Sequence, residues 1–320
     1  MRLLFILIIF AISLFSDDKY IFGEGWKPTE KPIYLGGYLS AVADLRNDKQ
    51  IISVDELAFM VYGEYNRFGF MSEFEIEDFY SKTFDETEDE TFSQKVHIER
   101  LNVNYFIDDN SEIMIGKFFS EIGFWNTWPI NVLRDTTSDP HILETIFPEM
   151  STGILYKRFF KNLTIYLTFQ NNRGIDDTYN NFNIDYHYAL ALSFENGENE
   201  WRIGGGQFSE TDGDSSLYVT LGYCKDLPSW TFMIESGIRK SDKSKKIFYD
   251  VYGQSVWHIL PKHDLILRIE SYRDLSEIPK SNSIVFGYTY RPLPYIALKG
   301  EVDFFDNGSE RSLFSFSMMF

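Results

Sequence analysis

Five ionisable residues, Arg134, Asp135, Asp139, His141 and Glu144, fall inside the longest stretch of this 320-residue chain that lacks strand-like patterning, 120–150. Around a narrow, poorly screened passage such groups act at close range and favour ions of opposite sign. On an outer lid the same charges would only meet solvent. Asp139, His141 and Glu144 are also residue types that ligate metals, although charged loop residues are more often simply solvated. The histidines are His97, His141, His187, His258 and His263. No Gly-x-Ser-x-Gly elbow and no His-Glu-x-x-His pair occurs, so no catalytic residue and no cofactor is assigned. The one conceivable hydrolytic pair is Ser93 with His97, which would need a rim position facing lipid. His187 is expected to sit inside, bonded to neighbouring carboxylates.

A larger set of charges is spaced by two. Acidic Glu73, Glu75, Glu77, Asp185, Glu195, Glu235, Asp250, Glu270, Glu301 and Asp303 share a parity with basic Arg100, Lys157, Arg202, Arg239, Arg268, Arg291 and Lys299. If that parity faces water, acid outnumbers base and a mild cation preference follows.

Period-2 alternation is what would place these charges. Leu163, Ile165, Leu167 and Phe169 alternate with Thr164, Tyr166, Thr168 and Gln170, and Leu217, Val219, Leu221 and Tyr223 repeat the pattern. Ile296, Leu298, Val302 and Phe304 alternate with Ala297, Lys299, Glu301 and Asp303, charged neighbours that call for water on their side. A strand with lipid on one face and a polar lumen on the other has this signature. About 16 such segments occur between residues 33 and 320, an even number, as single-chain barrels require. Tight connections at 64–67, 108–110, 160–162, 196–199, 226–229, 260–262 and 292–294 alternate with longer ones, including the acidic 81–93, 120–150 and 172–182. The expected fold is an all-β, transmembrane antiparallel barrel. A soluble β-sandwich is the rival fold.

Gly204, Gly205 and Gly206 interrupt one strand, which suggests a bend, a bulge or the close approach of another segment such as an inward loop. The acidic stretch 85–90 is either a solvated loop or a site for divalent cations that bridge lipopolysaccharide.

Composition agrees with a barrel without demanding one. Thirty Phe and 20 Tyr are far more than an ordinary globular chain carries and suit aromatic girdles. Mean hydropathy is −0.24, and beyond the N-terminus no apolar run reaches the length of a spanning helix. Thirty basic residues against 48 acidic ones give a net charge of −18, which argues against nucleic acid as a partner. The single Cys224 allows no internal disulfide. Arg2 followed by the apolar run 3–14 reads as an export signal, with residues 1–16 removed and 17–32 a periplasmic lead.

The chain ends on Phe320, with Phe314, Phe316 and Met318 on one face and Ser315 and Ser317 on the other. This resembles the terminal signal by which Gram-negative outer-membrane proteins are recognised by the barrel-insertion machinery. Gly116-Lys117-Phe118-Phe119, Gly123-Phe124-Trp125-Asn126, Thr136-Thr137-Ser138 and Phe147-Pro148-Glu149 are similar to the corresponding region of large porin-like barrels, including phosphate-selective ones. The resemblance implies a bacterial outer-membrane porin set in lipid and lipopolysaccharide, with the third outer loop folded into the lumen. It also implies passive transport of small hydrophilic solutes and assembly as a homotrimer. A phosphate site would need clustered Arg or Lys, and none stands out in the sequence. The alternatives are a sugar or oxyanion channel, with Trp125, Trp128, Tyr166 and Tyr218 stacking on substrate, or a barrel enzyme or adhesin.

Overall fold

A computed structural model describes residues 20–46, 49–84, 89–273 and 281–320. The export signal and positions 85–88 of the acidic stretch lie outside the described residues. Among the described residues sixteen long strands follow one another as antiparallel neighbours. They are β1 (Ile33–Arg46), β2 (Gln50–Tyr65), β3 (Phe68–Phe84), β4 (His97–Asp108), β5 (Ser111–Phe119), β6 (Met150–Phe160), β7 (Leu163–Gln170) and β8 (Ile184–Asn196). The second half comprises β9 (Asn199–Glu210), β10 (Ser215–Leu227), β11 (Trp230–Ser241), β12 (Ile247–Leu260), β13 (His263–Arg273), β14 (Ser281–Leu293), β15 (Ile296–Phe305) and β16 (Glu310–Met319). β16 pairs back onto β1, so the sheet closes and leaves no edge. Phe320 extends that seam, exchanging both backbone hydrogen bonds with Gly37 at 2.8 Å. Short strands Tyr20–Ile21 and Gly25–Trp26 form a small hairpin beside β1, and Asp89–Phe92 pairs with the end of β3.

Alternation sorts the side chains as the sequence predicts. On β10, Leu217, Val219 and Leu221 are 57, 61 and 46% exposed, whereas Ser216, Tyr218 and Thr220 between them are at most 3% exposed. Leu167 and Phe169 likewise stand outside, with Thr168 and Gln170 buried inside. Seven two-residue turns join the strands at one end of the barrel, at the seven places where tight connections are expected. Four of them carry a left-handed residue, Asn66, Lys161, Gly197 or Lys262, as tight hairpins require. The long connections, 120–149 and 171–183 among them, lie at the other end.

Three irregularities interrupt the ladder on neighbouring strands. Between Ser40 and Val42 of β1 the pairing passes over Val54 and Asp55 of β2, between Val54 and Glu56 of β2 it leaves an extra residue on β3, and between Glu73 and Phe74 of β3 Glu99 of β4 is the extra residue. Asp78 on β3 adopts φ 48°. Bulges of this kind turn consecutive side chains to the same face. Asp55 with Glu56, and Glu99 with Arg100, therefore all point inward.

Candidate channel and its constriction

The segment 120–149 bonds to inward-facing side chains of β9 and β11–β15. Arg202 donates to the Gly123 carbonyl (2.6 Å), Arg239 to the Thr145 carbonyl (2.7 Å) and Arg291 to the Arg134 carbonyl (2.7 Å). Arg268 donates to the Thr136 hydroxyl (2.9 Å) and the Ser138 carbonyl (2.8 Å). Lys299 donates to the carbonyls of Asn131 (2.5 Å) and Thr136 (3.0 Å). In return Glu301 accepts the Thr137 and Ser138 N–H groups, at 2.9 and 2.7 Å, and Glu270 accepts that of His141 at 2.6 Å. A loop taken out of water must have its backbone groups satisfied, and these side chains do so. Apolar packing completes the seat: Ile122, Phe124, Trp125, Ile142, Ile146 and Phe147 join Phe208, Tyr218, Met233 and Phe248 of the wall in one buried cluster. Gly204, Gly222 and Gly237 leave the room, since a Cβ at each would lie 3.1 Å from Ile122, 2.6 Å from Phe124 and 2.7 Å from Ile146 respectively. The glycine run in β9 thus marks the close approach of another segment.

The opposite wall, β1–β4, turns several of its acids toward open space. A cavity of about 300 Å³ lies between that wall and the loops, lined by Glu56, Glu75, Glu77 and Glu99 on one side and by Arg134, Asp139, Glu149 and Tyr179 on the other. The Tyr38 hydroxyl lies 3.0 Å from Glu75 and 2.7 Å from Glu99, and with one proton to give it can donate to only one carboxylate at a time. Neighbouring Glu73 is fully buried and pairs with Arg100 through one oxygen. Arg134, the one base lining this cavity, is held by both oxygens of Asp139, at 2.8 and 2.7 Å. Burial pushes the Glu149 carboxyl up to about 7. Toward the long-loop end a cavity of about 460 Å³ is bordered by Asp44, Asp55, Asp78, His141 and Glu144, and toward the turn end one of about 290 Å³ is bordered by Arg100, Asn102 and Asn104. All three border β3, whose Asp78, Glu75 and Met71 line them in turn.

Several sequence-based expectations change place. Of the five loop candidates, Arg134 and Asp139 line the 300 Å³ cavity, and Asp139, His141 and Glu144 border the 460 Å³ one. Asp135 faces the other way, toward Gln254 (3.1 Å) and Arg291 (3.5 Å). Among the wall residues that parity assigns inward, Glu75 and Glu77 line the 300 Å³ cavity. Arg202, Arg239, Arg268, Glu270, Lys299 and Glu301 meet loop backbone where the sequence calls for water. Lys157 pairs with Glu112 (3.7 Å) near the turns. Asp185 sits at the rim in an exposed pair with Arg173, because a register shift gives the inward place to Ile184. His187 bonds Ser151 and Tyr218, each at 2.7 Å, in place of carboxylates. His97 is 5% exposed and bonds Asp176 at 3.1 Å, so it makes no lipid-facing pair with Ser93. Trp125 and Tyr218 are at most 2% exposed and cannot stack on a solute. Glu56, Glu99, Glu149 and Tyr179 escaped the sequence reading. The doublets Asp55-Glu56 and Glu99-Arg100, two charges in a row where one position should face lipid, were the available signal of a bulge.

No protein-family model and no curated protein matches the sequence. Solved structures do match in shape. Outer-membrane-expressed OmpT of Vibrio cholerae superposes with a TM-score of 0.68 at 9% identity, over 93% of this chain and 100% of that one. The anion-selective porin from Comamonas acidovorans gives 0.64 at 11% identity, over 90 and 99%. The outer-membrane channel DcaP of Acinetobacter baumannii gives 0.60 at 13% identity, over 93 and 100%. Identities this low speak for architecture alone, and in architecture the chain is a closed sixteen-strand barrel with the fold of the outer-membrane porins.

Proposed function

We propose that the protein is an outer-membrane channel through which small hydrophilic solutes diffuse, with a preference for cations. The division of charge around the loop carries this reading. The wall bases of β9, β11 and β13–β15 are consumed by loop carbonyls and hydroxyls, while Glu56, Glu75, Glu77 and Glu99 remain across the gap. A passing cation meets carboxylates at short range in a space that screens poorly, and an anion is repelled there. The sign of this field is a property of this chain; the description of one structural neighbour as anion-selective belongs to that protein. An oxyanion channel finds little support, since the bases it would need are already bonded to the loop.

Permeation needs no nucleophile. The Ser151–His187–Tyr218 chain has the residue types of a hydrolytic relay, but all three are at most 2% exposed and packed beside the loop core, out of reach of a substrate. The lipid-facing apolar exterior suits insertion in the outer membrane, and assembly as a homotrimer, named for one form of the Vibrio protein, is part of the same proposal. Liposome swelling tests the reading. Vesicles holding the purified protein should swell faster in a basic amino acid than in an acidic one of similar size. The reading fails if no solute produces swelling.

A further inference from the structure

The connection between β7 and β8, residues 171–183, runs back across β6 to the inward ends of β4 and β5. Asp176 is its fixed point. The Asp176 carboxylate accepts from the Ile98 N–H at 2.9 Å and lies 3.1 Å from His97 Nδ1. Lys117, 2% exposed, donates to the carbonyls of Asp176 (3.1 Å) and Tyr179 (3.2 Å). The Tyr179 ring stacks on His97, with centroids 4.3 Å apart. At its far end the segment clips onto the 120–149 loop. The Asn181 amide donates to the carbonyls of Leu143 (2.5 Å) and Phe147 (2.8 Å) and accepts the Glu149 N–H (3.0 Å). Asn180 exchanges hydrogen bonds with both backbone groups of Met150, at 3.0 and 3.2 Å. Between these anchors Tyr179 lines the acidic cavity opposite Glu75 and Glu99.

We infer that residues 171–183 form a second inserted segment, a strap that narrows the channel from the side opposite Glu56 and Glu75, with Asp176 and Lys117 as its positioning residues. The inference rests on the channel reading. Two features make the strap a built element and not a loop lying loosely on the mouth. Its tip satisfies a buried ammonium that would otherwise have lost water without replacement. Its Asp176 holds a left-handed backbone (φ 49°), a conformation that aspartate tolerates and that directs the carboxylate at Ile98. Burial works to raise the Asp176 carboxyl, but the Ile98 N–H, His97 and Lys117 outweigh it and hold the group below the usual carboxylate range. The Asp176 carboxylate is accordingly charged at neutral pH, and its part of the latch is lost as pH falls through that lowered value.

The test pairs Asp176→Asn with Lys117→Met in one variant. One charge of each sign disappears, so the formal net charge is unchanged. Two readouts are taken: single-channel conductance, and the rate at which a small charged thiol reagent labels Thr152→Cys in a Cys224→Ser background. Thr152 is 7% exposed beneath the strap, where its hydroxyl accepts the Ile175 N–H at 3.0 Å. A heat-dependent gel shift confirms that each variant is a folded barrel. Release of the strap should speed labelling several-fold and raise unit conductance by about 1.5-fold or more. Unchanged labelling in a folded variant overturns the strap. Faster labelling with unchanged conductance, in a protein that conducts, overturns its narrowing role. Faster labelling in a protein that never conducts upholds the latch and defeats the channel reading instead.

Discussion

Glu75 and Glu99 compete for a single Tyr38 hydroxyl at 3.0 and 2.7 Å, on a wall where the inward base Arg100 is already taken by Glu73. Charge in excess of its partners is what lets a constriction discriminate. Replacing both acids, as Glu75→Gln with Glu99→Gln, should lower the cation-to-anion permeability ratio by a factor on the order of two while the barrel still folds, as reversal potentials in a salt gradient will report. Removing Glu270 and Glu301, acids of the same parity that bond loop N–H groups, should act mainly on loop order. Glu149 adds a dependence on pH. Its carboxyl, pushed up to about 7 by burial, is neutral below that value and charged above it. Cation preference should therefore rise from about pH 6 to about pH 8, and Glu149→Gln should flatten the rise.

The strands were legible because their two faces answer to different solvents, so that Leu217 to Leu221 could be sorted by parity alone. The tight turns followed from spacing. What stayed hidden was where parity breaks. A bulge adds one residue without altering composition, so Glu99 appeared to face outward although it shares the inward side with Arg100. Hidden too was the seat of the long loop, because alternation says that Lys299 and Glu301 face inward but not whether water or backbone meets them there. Glycine marks the seat better than charge does. Gly237→Val would drive a side chain into Ile146, which even a Cβ would meet at 2.7 Å, and Gly222→Val would do the same to Phe124. Each should cost about 1–3 kcal/mol through overpacking and unseat part of the loop, seen as a lower denaturation midpoint together with noisier single-channel current. A valine in a β-strand is otherwise favourable, so a neutral result would mean that the loop is not held there.

At the scale of the whole molecule, closure by β16 on β1 turns the sheet into a cylinder with an apolar outside and a loop-filled, charged inside. Val219, 61% exposed near the middle of β10, should face lipid. Val219→Lys is therefore expected to cost about 2–4 kcal/mol in a folding titration into bilayers, against little or nothing at an aqueous surface. Inside, five bases lie against one loop while Glu56, Glu75, Glu77 and Glu99 line open space, so selectivity rests on the sign of the field in the gap. The reversal potential of the purified wild-type protein in a planar bilayer, across a steep potassium chloride gradient at neutral pH, reads that sign directly. A potential displaced toward the potassium equilibrium value is the expected result; one displaced toward chloride would contradict the account.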